Sequence, residues 1–210
     1  GITSYLYHLN RGIKESGLSS MIASSGGEMS TAFLEKGIPT LLLPIQTKNS
    51  MSPKLFAAWH TLHKRAKKER WSLIHAHTRV SQCLAHLLSK SLGIPYVTTF
   101  HGYYRYHAFR KTFPCLGQKT IAISRSVEID LKNHYPHFSD QIKTILHGID
   151  VSHFSSNAVS ESDKETLRKK IGLTNDPVIG ILSRLSVEKG HLPLLDVIYH
   201  LTKERGERLQ

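Results

Sequence analysis

The chain has 210 residues and a formal net charge of +12, with 28 Lys and Arg against 16 Asp and Glu. This length fits one or two domains, and the charge favours a polyanionic partner: nucleic acid, an anionic membrane surface or a phosphorylated substrate. Two cysteines without paired spacing argue against a disulfide framework and favour a reducing, cytoplasmic location, and no apolar run reaches the ~18 residues that span a bilayer.

Short apolar runs alternate with amphipathic helical stretches over the first two thirds of the chain. This alternation is typical of an α/β fold in which helices cover both faces of a parallel sheet. Helices are predicted at 3–15, 53–70, 81–92 and 125–135, and strands at 20–24, 38–43, 73–76, 96–100, 120–124 and 143–146. The six strands predict one doubly wound domain.

Serine and acidic residues replace this rhythm after residue 153, which predicts a linker. Ser162 and Glu165 have capping-box spacing ahead of a short helix that ends at Gly172. A new buried strand is predicted at 177–182, and a helix begins near Gly190. We therefore expect one α/β domain over 1–153, a linker with a short helix over 154–176, and the truncated start of a second α/β domain over 177–210.

Polar residues follow the predicted strands in the segments IHAHTR (74–79), TTFHG (98–102), AISRS (122–126) and LHGID (146–150). The carboxyl ends of parallel strands form the ligand-binding edge of an open α/β sheet. His75 and His77 share one face of a strand, but no third metal ligand is nearby, so polar strand-end residues are the favoured interpretation. The candidate site residues are therefore His77, Arg79, His101, Ser124, Gly148 and Asp150.

Several binding motifs are missing from the sequence. It has no G-x-G-x-x-G and no G-x-x-x-x-G-K-[ST] phosphate loop, and no Asp-x-Asp pair that would hold a divalent cation against a diphosphate. It also has no helix-turn-helix spacing and no aromatic-basic motif of the RNA-binding type. We therefore expect no cofactor, no metal and no nucleic-acid partner.

Residues 183–191 read SRLSVEKGH and place two cations before a helix. Arg184 offers a planar fork, Lys189 a mobile charge and the helix start its free N–H groups, a combination that suits a diphosphate. The alternative, that both are solvated loop charges with Glu188 as a surface partner, fits the spacing equally well.

Two further segments are candidates for acceptor or membrane contact. The helix at 53–70 combines an apolar stripe with a basic C-terminal half, which fits either a membrane-surface face or, more often, an ordinary packed helix. The segment GYYRYHAFRK (102–111) could stack on sugar, rest at lipid headgroups or form a packing cluster. The apolar stripe predicted on the helix at 53–70 consists of Leu55, Phe56, Trp59, Leu62 and Ala66.

Several features occur together in the sequence: the helix opening at Gly1 and the segments LPIQTKN (43–49), IHAHTR, TTFHG, AISRSV, LHGIDVSHF and SRLSVEKGH. In their order and rough spacing, these features resemble glycosyltransferase family 4. The resemblance implies a retaining, metal-independent GT-B enzyme with two Rossmann-like domains facing across a cleft. Such an enzyme takes a nucleotide-sugar donor and a glycolipid or polysaccharide acceptor, as in lipopolysaccharide or other envelope biosynthesis. The basic helix at 53–70 also allows a peripheral location on an anionic membrane surface.

The resemblance assigns roles to four residues. Arg184 and Lys189 match the pair that grips the donor diphosphate, Gly1 matches the glycine-rich loop that approaches it, and His101 matches a histidine beside the transferred sugar. The first strand and the Glu-x7-Glu region of the family are missing, so we expect a piece of a longer protein, without activity of its own. The alternatives are a non-catalytic module that binds anionic lipid or glycan, and another GT-B enzyme such as a nucleotide-sugar epimerase.

Overall fold

A computed structural model describes residues 1–27, 29–47, 52–155, 158–174, 176–206 and 208–209 of the chain. These residues form two compact units, Gly1–Ile149 and Asp150–Gln210. The last two residues of the LPIQTKN segment, Lys48 and Asn49, lie outside the described residues.

The first unit alternates helices and strands, as the sequence predicts. Its helices are α1 (Ile2–Glu15), α2 (Met29–Glu35), α3 (Pro53–Glu69), α4 (Arg79–Leu92), α5 (Ala108–Thr112) and α6 (Arg125–His134). Its strands are β1 (Ile22–Ser24), β2 (Thr40–Leu42), β3 (Ile74–Ala76), β4 (Tyr96–Phe100), β5 (Lys119–Ala122) and β6 (Ile142–Thr144). The short helices α2 and α5 are additions to the prediction.

All strand pairs in the described ranges are parallel, but they form two sheets instead of the one predicted. Strands β1 and β2 pair with each other, and β3 to β6 follow one another in chain order in a four-stranded sheet. Ladder hydrogen bonds need strands about 4.8 Å apart, and no ladder joins the two sheets among the described residues. Because the four strands run in the same direction, the segments after Ala76, Phe100, Ala122 and Thr144 all emerge at one edge.

Helix caps fix where the chain leaves this edge. The Thr78 side chain accepts a hydrogen bond from the Ser81 N–H, in a reciprocal capping box, and starts α4 directly after His77. The Ser124 side chain caps α6 by accepting from the Val127 N–H. Helix α4 ends at Gly93, whose φ of 72° is a conformation that glycine adopts without steric cost.

The core has one large cluster around α3 and α4 and another around α6. Leu55, Leu62, Leu84 and Leu88 lie in the first, and Phe100, Leu131 and Ile142 are among those in the second. The predicted stripe on α3 is confirmed except at Phe56, whose side chain is 72% exposed. Phe56 follows the buried Leu55 by one residue, a rotation of about 100° around the helix, and therefore faces away from the core.

The second unit contains α7 (Glu161–Lys170) and α8 (His191–Tyr199), with a 3₁₀ turn at Val187–Lys189. The cap of α7 is Ser160 and not Ser162, because the Ser160 hydroxyl accepts from the Asp163 N–H and donates to the Asp163 carboxylate. The predicted strand at 177–182 is not formed among the described residues of this unit. A strand needs a neighbour for its ladder hydrogen bonds, and these residues contain none for it.

None of the helices in the described ranges is both long and apolar enough to cross a membrane.

Candidate functional site

The carboxyl edge of the four-stranded sheet brings three histidines together with a tyrosine. His77 follows β3, His101 follows β4 and His147 lies beyond β6. The ring of Tyr5, in the first turns of α1, contacts all three, with centroid distances of 5.6 Å to His77, 5.1 Å to His101 and 4.6 Å to His147. Strand ends and one helix therefore build a single aromatic and imidazole cluster within the first unit.

Two hydrogen bonds order the imidazole rings. Nδ1 of His77 lies 3.2 Å from Nε2 of His101, and Nε2 of His75 lies 2.7 Å from Oγ1 of Thr99. The His75 and His77 rings are tilted against each other, with centroids 4.1 Å apart. The register that pairs Ala76 with Thr98 brings His77 opposite Thr99 and next to His101, which follows Phe100.

The cluster keeps its histidines neutral. Burial lowers the pKa of His75 to about 4 and, together with the nearby His75 and His101 side chains, the pKa of His77 to about 2. Burial and the neighbouring His147 lower the pKa of His101 to about 4, and burial also lowers the pKa of His147. At neutral pH these side chains offer hydrogen-bond donors and acceptors rather than positive charge.

His101 is the predicted site residue with the most distinctive surroundings. Its Nδ1 atom is buried and has no hydrogen-bond partner among the described residues. Beside it, a Cβ added to Gly102 would meet no described atom within 4 Å. The His101 ring is thus held on one side by His77 and Tyr5, and its second nitrogen has unused hydrogen-bonding capacity.

Arg79 is the first residue of α4, but its guanidinium is engaged elsewhere in the first unit. Nη1 donates to the carbonyl of Pro114 at 2.9 Å, and Nη2 donates to the carbonyl of Phe113 at 2.6 Å. Its carbon Cζ also lies 5.6 Å from the centre of the Phe109 ring. These contacts give Arg79 a structural role in joining α4 to the segment before β5.

The other predicted residues of the first unit lie at its surface or at helix starts. Gly1 is exposed and precedes α1, where its carbonyl accepts from the Tyr5 N–H at 3.1 Å. The Ser124 hydroxyl caps α6 and lies 3.0 Å from the Ser126 hydroxyl. Gly148 is exposed, directly after His147.

The remaining predicted residues belong to the second unit. The Asp150 carboxylate accepts from the Ser152 hydroxyl at 2.6 Å and from the His153 N–H at 3.2 Å. Arg184 is exposed and lies 3.9 Å from the Glu188 carboxylate. Its own main-chain N–H, the nearby Ser186 and the positive charges of Arg184 and Lys189 all lower the pKa of Glu188. Glu188 thus competes with any anion for Arg184.

The turn that carries Arg184 is closed by a histidine that the sequence analysis did not single out. Nε2 of His191 lies 2.8 Å from the Arg184 carbonyl, and because a carbonyl only accepts, this nitrogen carries the proton. The Ser183 hydroxyl lies 3.1 Å from the same nitrogen. The first residue of α8 thereby fixes the main chain at Arg184.

The aromatic segment at 102–111 packs against α6. The Tyr106 hydroxyl donates to the Asp130 carboxylate at 2.5 Å, and the Tyr106 ring stacks on His134 with centroids 3.6 Å apart. The guanidinium carbon of Arg110 lies 4.8 Å from the centre of the Tyr104 ring. Of the three interpretations, the packing cluster accounts for these contacts, while Tyr103 is 66% exposed.

Two members of the aromatic and imidazole cluster, His147 and Tyr5, were not identified from the sequence. His147 stands in the LHGID segment, where its place after a strand was the usable signal. Tyr5 lies in a helix, and no pattern in the sequence distinguishes it from its neighbours. In the part of the chain that the structure describes, no three His, Cys, Asp or Glu side chains are grouped so that they could hold a metal ion.

Comparisons with known proteins add relatives to this geometry. The chain is 33% identical, over 140 residues, to the teichuronic acid biosynthesis glycosyltransferase TuaC of Bacillus subtilis (strain 168), a match that covers 61% of this chain and 34% of that protein. A glycosyltransferase from Rickettsia africae ESF-5 superposes with a TM-score of 0.85 at 24% identity, covering 96% of this chain and 54% of that one. Anabaena Alr3699/HepE in complex with UDP-glucose gives 0.69 at 22% identity, covering 86% and 49%.

The structural likenesses show an α/β fold of the GT-B type, with parallel sheets flanked by helices. The chain spans about half the length of these solved structures and about a third of the curated relative. The sequence model of Glycosyltransferase Family 4 matches residues 1–153. Because this match covers well over half of the 210 residues, the chain belongs to Glycosyltransferase Family 4.

Proposed function

We propose that the full-length protein transfers a sugar from a nucleotide-diphosphate sugar to an envelope glycolipid or polysaccharide, with retention of anomeric configuration and without a metal ion. The observation that carries this proposal is the placement of His101 at the carboxyl edge, with a buried and unused Nδ1 atom, in a chain of this family. A sugar is rich in hydroxyl groups that can fill such hydrogen-bonding capacity.

The donor is proposed from the second unit and from one structural relative. Arg184 and Lys189 are exposed cations on the turn before α8, and a charge-assisted grip on two phosphates needs such a pair. The Anabaena protein was solved in complex with UDP-glucose, which supports a nucleotide-sugar donor here. In this proposal the diphosphate replaces Glu188 as the partner of Arg184.

Peripheral binding to an anionic, cytoplasm-facing membrane surface is proposed from charge. The last turns of α3 expose Lys64, Lys67 and Lys68, and Arg70 follows the helix. Each basic residue near an anionic surface contributes about 1 kcal/mol of attraction, which salt screens. A lipid-linked acceptor would be found at the same surface.

The test is a transfer assay with the full-length protein and a panel of nucleotide-diphosphate sugars. We expect release of nucleoside diphosphate that depends on added glycolipid or polysaccharide, continues in excess chelator, and gives a product with the anomeric configuration of the donor. Donor binding without release would instead support a non-catalytic module. Inverted product, or loss of all release with chelator, would contradict retention or metal independence respectively.

A further inference from the structure

The hydrogen bond between His77 and His101 constrains where each ring carries its proton. Nδ1 of His77 and Nε2 of His101 are 3.2 Å apart, and burial lowers the pKa of both side chains far below neutrality. A neutral imidazole has one N–H donor and one bare acceptor nitrogen. A single proton therefore bridges the two nitrogens, and it belongs to one ring or to the other.

The two assignments differ at the far nitrogen of His101. If the bridging proton were bonded to Nδ1 of His77, the proton of the His101 ring would have to be on Nδ1. That atom is buried and has no hydrogen-bond partner among the described residues. If the bridging proton is bonded to Nε2 of His101, Nδ1 of His101 carries no proton and is a hydrogen-bond acceptor. Buried N–H groups without a partner are rarer in proteins than unsatisfied acceptors, which favours the bare Nδ1 atom.

We propose that His77 is a positioning residue for His101: Nδ1 of His77 accepts the Nε2 proton of His101 and thereby leaves Nδ1 of His101 as a hydrogen-bond acceptor for a sugar hydroxyl. This inference rests on the proposed function for the identity of the ligand. The bond also holds the plane of the His101 ring, which Tyr5 contacts edge-on.

The assignment selects the chemical class of the ligand group. A bare imidazole nitrogen needs a partner that donates, which a sugar hydroxyl does, whereas the oxygens of an ionised phosphate or carboxylate only accept. The neutral state of His101 likewise offers no charge to an anion. His101 is thus matched to the sugar part of a nucleotide sugar and not to its diphosphate.

The direct test is nuclear magnetic resonance of the full-length protein labelled with ¹⁵N at histidine. The nitrogen shifts identify the protonated atom of each ring without any enzymatic activity. We expect both His77 and His101 to carry their protons on Nε2. Protons on Nδ1 of both rings would be the opposite assignment and would overturn the inference.

A pair of variants tests whether His77 acts through its acceptor atom. The oxygen of His77→Asn can accept a hydrogen bond from about the position of Nδ1, whereas His77→Leu has a similar branched shape and no acceptor. We expect kcat to fall about tenfold in His77→Leu, the effect of one hydrogen bond, and less than threefold in His77→Asn. His60, exposed on α3, provides matched controls in His60→Leu and His60→Asn.

Equal losses in His77→Leu and His77→Asn, at equal melting temperatures, would overturn the positioning role. If His77→Leu fails to fold, the nitrogen shifts of wild type and His77→Asn still decide the proton assignment. Failure of the proposed function would look different, because wild type would then transfer no sugar whatever the proton positions are.

Discussion

The guanidinium of Arg79 is bound to the main-chain carbonyl of Phe113 across 2.6 Å, and a second bond runs to Pro114. Replacing Arg79 by Met should therefore lower the free energy of unfolding by about 1.5–3 kcal/mol, the range for hydrogen bonds of a charged group. Arg79→Lys should restore part of this loss because lysine keeps a donor but not the fork. Denaturant unfolding measures both.

Arg125 provides the control for this prediction, since it is also the first residue of a helix after a strand and is exposed. Arg125→Met should leave stability nearly unchanged. If Arg79→Met instead kept full stability but weakened acceptor binding, Arg79 would belong to the acceptor site and not to the framework.

Acid should destabilise the first unit through its buried histidines. The unfolded chain takes up these protons near pH 6.5, whereas the folded state does so only at about pH 4 for His75 and about 2 for His77. Below pH 6.5 the unfolded state binds more protons, so the free energy of unfolding falls as pH decreases toward 4. His77 alone contributes up to about 1.4 kcal/mol per pH unit in this window.

Urea titrations at pH 7.5, 6.5, 5.5 and 4.5 would measure this dependence. His77→Asn should flatten it, and the surface control His60→Asn should retain it. Stability that is constant from pH 7.5 to 4.5 in wild type would contradict the neutral, buried cluster.

Arg184 and Lys189 should determine the affinity for the donor diphosphate. Arg184→Ala and Lys189→Ala should each weaken binding of a nucleoside diphosphate to the full-length protein by about 10- to 100-fold, the effect of losing a charge-assisted hydrogen bond. Arg184→Lys should recover only part of the affinity. Glu188→Gln should strengthen binding, because the Arg184–Glu188 ion pair competes with phosphate.

Isothermal titration calorimetry would measure these affinities, with Lys170→Ala as an exposed control in the same unit. Unchanged affinity in the Arg184 and Lys189 double variant would return both residues to the role of solvated loop charges.

The basic end of α3 should bind anionic vesicles. Full-length protein should sediment with vesicles that contain phosphatidylglycerol but not with pure phosphatidylcholine, and 0.5 M salt should release it. Lys67→Gln with Lys68→Gln should weaken this binding, whereas Lys169→Gln with Lys170→Gln, on α7, should not. Equal sedimentation with both vesicle types would contradict an electrostatic membrane contact.

The six strands of the first unit and the edge at which His77 and His101 lie were predictable from the sequence, whereas the division into two sheets was not. Alternation of apolar runs and helices fixes a parallel sheet, and a parallel sheet brings its strand ends together. The partners of Arg79 were not predictable, because Phe113 and Pro114 lie more than 30 residues away and the choice between them and a ligand depends on tertiary packing. The contacts of Tyr5 with the three histidines were not predictable for the same reason.

Two other differences, at the cap of α7 and at residues 177–182, concern features that the local sequence does not determine. Ser160 and Ser162 both have a side chain that can cap α7, and only the backbone geometry selects Ser160. The run at 177–182 has the composition of a buried strand, but composition does not supply the neighbouring strand that it needs.

The most direct test of whether the His101 site acts in sugar transfer is steady-state kinetics of the full-length His101→Ala variant, with His60→Ala as the control. We expect kcat for sugar transfer to fall about 100-fold or more in His101→Ala, as for an interaction made mainly in the transition state, while nucleoside diphosphate affinity stays within about twofold. His60→Ala should match wild type. A His101→Ala enzyme with normal kcat, or one whose only change is a lower melting temperature, would contradict a role for this site in sugar transfer.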